Sequence, residues 1–205
     1  MFSFFSSKGE QLWWACKYGK VEEVQKLLQN SQINTNWQDS DESKTSFYIA
    51  CEDGHTEIVK LLLDDKRVDV NKANECSRTP FHRACWNGDI EIVKLLLNDN
   101  RIDVNKANDD GETPFLVVCY NRNIEVVKYL LESGREIDIN KKDNDGKTGL
   151  DWAKQKGNID VVQLIESFQK KIEDGNKKLE EEKRKDESKS IFHFHFFFFF
   201  QKLNE

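Results

Sequence analysis

The chain has 205 residues, and 31 Lys+Arg against 37 Asp+Glu give a formal net charge of −6. Its apolar fraction of 38%, about 43% with the ten glycines, lies just under the globular norm and leaves room for one ordinary domain or a short repeat array. The acidic balance argues against holding nucleic acid through Lys/Arg–phosphate contacts, no apolar run nears the roughly 20 residues of a membrane-spanning helix, and five cysteines without a secretory signal read as reduced thiols of a cytoplasmic protein.

In chain order, a lead over 1–8 carries three of the 14 phenylalanines. A repeat then begins. Thr45, Thr79, Thr113 and Thr148 are separated by 34, 34 and 35 residues, and Phe47, Phe81, Phe115 and Leu150 follow two residues later in the same phase. Ala15, Ala50, Ala84, Val118 and Ala153 extend that register back by one unit. Five units result, at about 9–39, 40–73, 74–107, 108–142 and 143–168.

The first unit has Glu10-Gln11 where others carry Thr and Pro, and brings Leu12, Trp13 and Trp14. The third is the clearest. Thr79 suits a helix N-cap and Pro80 the first helical position, where its missing N–H leaves nothing unpaired. Asn87-Gly88 supplies the left-handed conformation that ends a short helix, and Ile92, Val93, Leu95, Leu96 and Leu97 make a broad apolar stripe on a second one. Arg101–Asn105 alternates as an extended segment does, and Asn108-Asp109-Asp110-Gly111 reads as a turn before Thr113. The unit is helix, turn, helix, then an extended finger. The tetratricopeptide repeat shares the period, but its two helices nearly fill the unit and its Trp-Leu-Gly-Tyr signature is missing.

In the fourth unit Leu116 stands where the third has His82, Val118 where it has Ala84, and Arg122 where it has Gly88. Either Arg122 is held left-handed, at about 1 kcal/mol, or Asn121 or Asn123 takes that conformation instead. In the fifth, Asp151 occupies the histidine position. The segment 169–190 holds eight Lys/Arg and seven Asp/Glu in 22 residues; the last helix continues outward through Ile165, Phe168 and Ile172, and beyond it the charge favours a solvated helix or disorder. The Phe-rich 191–205 has three readings: a membrane-surface anchor or docking peptide, an aggregation hazard, and a translation of thymine-rich non-coding DNA.

Thr79-Pro80-Phe81-His82-Arg83-Ala84, Gly88, Ile92–Leu97 and Asp103-Val104-Asn105 together resemble the ankyrin repeat, which starts Thr-Pro-Leu-His-x-Ala and closes on an Asp-Val-Asn finger. The resemblance spans roughly 160 residues, with one residue more per unit than the usual 33, and implies a longer finger base. It implies an all-α solenoid of helix–turn–helix–hairpin units, modified at its ends as caps, because single units cannot bury their own apolar faces. It gives His82 a structural role, tying its unit to a neighbour's finger.

Cys16, Cys51, Cys85 and Cys119 recur at one position per unit, which spreads them too far apart to share a zinc ion and makes them core. Cys76, on a finger tip, is the one thiol placed to react. His55 follows the Gly54 turn and reads as structural, so Cys51, His55, His82 and Cys85 are explained one by one without a metal. No nucleophile–base pair, phosphate loop or serine elbow is present; no catalytic residue, cofactor or metal is expected.

Stacks of the ankyrin kind bind proteins on a concave face made of fingers and first helices. Carried over unit by unit, the first-helix ends are Lys17-Tyr18, Glu52-Asp53, Trp86-Asn87, Tyr120-Asn121 and Gln155-Lys156, and the finger tips include Asp41, Glu42, Lys44, Glu75, Arg78, Asp109, Asp110 and Glu112. Candidate partner-binding residues are therefore Tyr18, Glu52, Asp53, Glu75, Arg78, Trp86, Asn87, Asp109, Asp110, Glu112, Tyr120 and Asn121. Trp86 and Tyr120 lead, as exposed aromatics dominate interface hot spots, unless they pack between adjacent units instead. The acidic tips point to a partner with a basic surface. The expectation is a monomeric, cytoplasmic, non-catalytic scaffold or inhibitor; alternatives are a regulatory or targeting subunit of an enzyme acting in trans, and membrane association through the Phe-rich tail.

Overall fold

The structure, a computed structural model, describes residues 7–203, with the side chains of 182, 183 and 185–203 outside that description. The readings offered for the phenylalanines of 191–200 therefore rest on side chains outside that description, and residues 1–6 of the lead lie outside the described residues. These residues divide into two compact units, one ending at Val162 and one beginning at Gln163.

In the first unit, helices come in antiparallel pairs: α1 (Lys8–Lys17) with α2 (Val21–Leu28), α3 (Ser46–Glu52) with α4 (Thr56–Asp64), α5 (Pro80–Asn87) with α6 (Ile90–Asn98) and α7 (Pro114–Asn121) with α8 (Ile124–Glu132). Next come α9 (Gly149–Lys156) and the start of α10 (Ile159–Leu203). The first helices α1, α3, α5, α7 and α9 pack in sequence as one row, and α2, α4, α6 and α8 form a second row. All helices of the pairs are ten residues or shorter, too short to persist alone in water. Their stability comes from neighbours.

Four of the five first helices start on the expected threonine. Thr45, Thr79, Thr113 and Thr148 accept from the backbone N–H groups of Tyr48, His82, Leu116 and Asp151 at 3.1–3.3 Å. The first unit differs: α1 is extended N-terminally and capped by Ser7, which accepts from the Glu10 N–H at 3.1 Å. At the other end Asp151 reproduces a capping box, accepting from the Thr148 N–H at 2.9 Å and hydroxyl at 2.7 Å. Arg122 does take the left-handed conformation, with φ 60°, where Gly88 has φ 74°; Asn121 closes the helix and Asn123 begins the next turn.

The core is the seam between units. Phe47, Phe81 and Phe115 are buried, as are Cys16, Cys51, Cys85 and Cys119. Burial pushes all four thiols well above the ordinary range. A Cβ at Gly149 would lie 3.0 Å from Cys119 Sγ and 3.3 Å from the Phe115 ring, so the fifth unit closes onto the fourth through a glycine.

The fingers hold no regular strand among the described residues, only a bridge between Gln38 and Thr45. Side chains link one finger to the next. Asn36 donates to the Arg67 carbonyl and accepts from the Asp69 N–H, both at 2.8 Å. Asn71 does the same to Arg101 and Asp103 at 2.6 and 2.8 Å, and Asn105 to Glu136 and Asp138 at 2.6 and 2.9 Å. The lengthened finger base carries an arginine that closes the preceding unit's second helix. Arg67 donates to the Leu28 and Asn30 carbonyls at 2.8 Å, Arg101 to Leu63 at 2.7 Å and Arg135 to Leu97 at 2.7 Å. Carbonyls left over at a helix end need such donors.

In the second unit the chain is helical from Gln163 to Leu203, the C-terminal part of α10. The charged segment is thus helix where the sequence left helix and disorder open. Glu and Lys are strong helix formers, and Glu180 pairs with Arg184 at 3.6 Å one turn on. Ile172 and Leu179 are exposed. Among the described residues no helix is long and apolar enough to cross a membrane.

Candidate functional site

Trp86 and Tyr120 are the penultimate residues of α5 and α7, 34 residues apart, so the repeat places them side by side. Their rings stack with centroids 6.4 Å apart and planes at 24°, and Trp152 meets Tyr120 edge-on at 5.5 Å. Trp86 remains 43% exposed, so its contact with the neighbouring unit does not hide it. The three rings wall a groove of about 360 Å³ that also takes in Arg78, Asp110 and Glu112 from the fingers. Asp143, Asn144 and Asp145 complete it.

The groove is held from behind. Trp152 Nε1–H donates to Asp143 Oδ2 at 2.6 Å, fixing the indole. Asn144 donates to the Asp109 carbonyl at 2.8 Å, and its own N–H reaches the Asp110 carbonyl at 3.0 Å. Arg78 approaches Asp110 at 3.6 Å. Glu112 accepts from Asn108 at 2.8 Å, and its carbonyl accepts from His82 Nε2–H at 3.0 Å. Burial lowers the His82 pKa to about 4. The neutral ring then accepts the Thr79 N–H on Nδ1 at 3.1 Å and ties α5 to the next finger, the role the resemblance implied.

Not every candidate belongs to this groove. Glu52 is held between Lys44 and Arg83, both at 2.8 Å, with a side chain only 12% exposed. Burial opposes the Lys44 charge, but the hydrogen bonds it donates to Glu52 and Glu42 outweigh it and raise that pKa. Below them burial, reinforced by Glu52, pushes Tyr48 up to about 12. Asn87 and Asn121 donate to the Glu52 and Trp86 carbonyls at 2.7 and 3.2 Å, joining successive helix ends. Glu75 and Asp109 link finger tips through their backbone N–H groups, to Glu42 at 3.0 Å and to Cys76 at 3.3 Å. Asp53 is exposed beyond α3. Tyr18 is 61% exposed and stacks on Trp14 at 5.4 Å, at the other end of the row of first helices. There a second cleft of about 270 Å³ is lined by Trp13, Trp14, Lys17, Trp37 and the finger residues Asp41, Glu42 and Lys44.

Ring nitrogens of His55 and His82 are engaged by the protein itself. His55 Nε2–H donates to the Lys17 carbonyl at 3.1 Å, closing α1, and His82 is engaged as described. Among the described residues no three His, Cys, Asp or Glu side chains gather to hold a metal ion.

A family model described as "Ankyrin repeats (3 copies)" matches residues 12–108 and again 100–175. The chain belongs to the ankyrin-repeat family. No curated protein matches it. Ankyrin repeats are in general protein–protein interaction modules, and in this ankyrin stack the repeat register brings Trp86, Tyr120, Arg78, Asp110 and Glu112 to one groove. Register alone misses Trp152: its equivalents are Arg83 and Val117, and the position matching Trp86 and Tyr120 is Gln155. The usable signal was a tryptophan beside a finger rich in aspartate, Asp143-Asn144-Asp145.

Proposed function

We infer that this ankyrin stack is a non-catalytic scaffold or inhibitor that docks a protein partner with a basic surface on its concave face, centred on the Trp86–Tyr120–Trp152 groove. The observation that carries the reading is the union of three aromatic rings with four carboxylates, those of Asp110, Glu112, Asp143 and Asp145, in one groove. Aromatic anchors ringed by polar groups are the anatomy of binding hot spots. The stacked units hold the groove's walls in place, so little conformational entropy is lost on docking. Free, buried thiols suit a reducing compartment such as the cytoplasm.

The test is a Trp86→Ala/Tyr120→Ala double variant against a partner isolated with the wild-type chain. Binding falls at least tenfold while Tm holds. Unchanged binding at unchanged Tm places docking elsewhere.

A further inference from the structure

Two cations already sit on the aromatic walls of the groove, and both belong to the chain itself. Lys156 Nζ lies 4.2 Å from the Tyr120 ring centroid and Lys147 Nζ 4.0 Å from that of Trp152. Lys147 also donates to Gln155 Oε1 at 2.8 Å. Among the described residues no cation is placed over Trp86, the most exposed of the three rings. Four carboxylates still outnumber the Arg78 guanidinium and the two wall lysines together. Two are occupied, Asp143 by the Trp152 indole and Glu112 by Asn108; Asp110 is exposed and meets Arg78 only at 3.6 Å, and Asp145 is exposed.

We propose that this groove receives arginine side chains from an extended basic segment of the partner, one stacking on Trp86 against Asp110, and that Lys156 is an internal stand-in which the segment displaces from Tyr120. This rests on the docking face inferred above and names what that face recognises. The charge of the lining selects a cationic occupant and disfavours acidic peptides and nucleic acid. The flat aromatic faces select arginine over lysine. A guanidinium stacks on a ring while its N–H groups still reach a carboxylate, and it is less strongly hydrated than an ammonium. Lys156 reaches Tyr120 from the exposed end of α9, and such a lysine is readily exchanged, since an exposed cation–ring contact is weak.

The probe is a capped Gly-Arg-Gly-Arg-Gly-Arg-Gly peptide, with lysine and citrulline versions of the same sequence, titrated calorimetrically against the full chain at low and high salt. The arginine peptide binds, the lysine peptide binds several-fold more weakly, and the uncharged citrulline peptide does not bind. Trp86→Ala weakens the arginine peptide by about tenfold without changing Tm. Asp110→Asn/Asp145→Asn weakens it and flattens the salt dependence. Lys156→Gln tightens it about threefold, more than Lys128→Gln, which removes the same charge from α8. Equal binding of the citrulline peptide, indifference to Trp86→Ala, or equal effects of Lys156→Gln and Lys128→Gln overturns the proposal. A genuine partner that is lost with Trp86→Ala but not competed by the arginine peptide also overturns it, while leaving the docking face intact.

Discussion

His82 donates its Nε2–H to the backbone carbonyl of Glu112 at 3.0 Å, so a buried imidazole is the strut between the third unit's first helix and the fourth unit's finger. Burial, which disfavours the charged ring, holds its pKa at about 4, below the usual 6.5, with Arg78 and Lys106 acting in the same direction. Lowering the pH through 6.5 protonates the unfolded chain before the folded one. Stability therefore falls as pH drops from about 6.5 to about 4 and is level above that range, a loss of about 3 kcal/mol in all. Urea denaturation across this range measures it. His82→Leu, which copies the fourth unit's Leu116, removes this histidine's share of the slope and lowers stability at neutral pH by about 2 kcal/mol through the lost bonds to Thr79 and Glu112.

Three of the residues that follow the first-helix turn donate to the previous unit. His55 reaches the Lys17 carbonyl, Asn123 the Cys85 carbonyl at 3.0 Å and Asn158 the Cys119 carbonyl at 2.9 Å. Asp89 holds the equivalent place and has no proton to give. It accepts from the Ile92 N–H at 3.1 Å and sets a negative charge near the carbonyl end of α3, close to Gly54. Asp89→Asn keeps an N-cap and supplies the donor, so stability rises by about 1 kcal/mol. Thermal denaturation checks this, and a drop in Tm would contradict it.

Arg122 occupies a left-handed C-cap at φ 60°, and its guanidinium pairs with Asp160 at 3.2 Å, with 63% of its side chain exposed. Left-handed backbone costs a non-glycine residue about 1–2 kcal/mol, whereas glycine adds about 0.5–1 kcal/mol of entropy to the unfolded chain. At that exposure the ion pair decides little. Arg122→Gly raises stability by about 0.5 kcal/mol, read from the denaturant midpoint.

The asparagine ladder predicts a sharper effect. Asn71 serves both the carbonyl of Arg101 and the N–H of Asp103. Asn71→Ala leaves both without that partner and lowers stability by about 2 kcal/mol, while Asn71→Asp recovers only the acceptor half. Hydrogen exchange at the Asp103 amide should accelerate in both the alanine variant and, more weakly, the aspartate variant.

Cys76 is the only described cysteine that is not buried. One thiol of five reacts promptly with a disulfide reagent under native conditions and four react only on unfolding, since the thiolate must form and be reached. Peptide mapping after brief labelling should find Cys76 alone.

The periodicity alone determined a good deal. Threonine caps, the buried phenylalanines and the cysteine row recur every 34 or 35 residues, and each is a local requirement: a cap for exposed N–H groups, an apolar side chain for a shared seam. Such requirements are written once per unit and survive in the spacing, which is why the helix pairs and the family were legible. Apart from the His82 strut, tertiary structure decided which polar groups join one unit to the next. The Asn36, Asn71 and Asn105 bonds and the arginines that close helices from a different unit are pairings across 30 or more residues, and the Lys44 and Arg83 ion pairs of Glu52 likewise join separate elements. Trp152 entered the groove because α9 lies beside α7 and its indole is fixed by Asp143, a matter of which faces meet in space. A linear pattern records what each unit needs, whereas the geometry of stacking determines whose side chain supplies it.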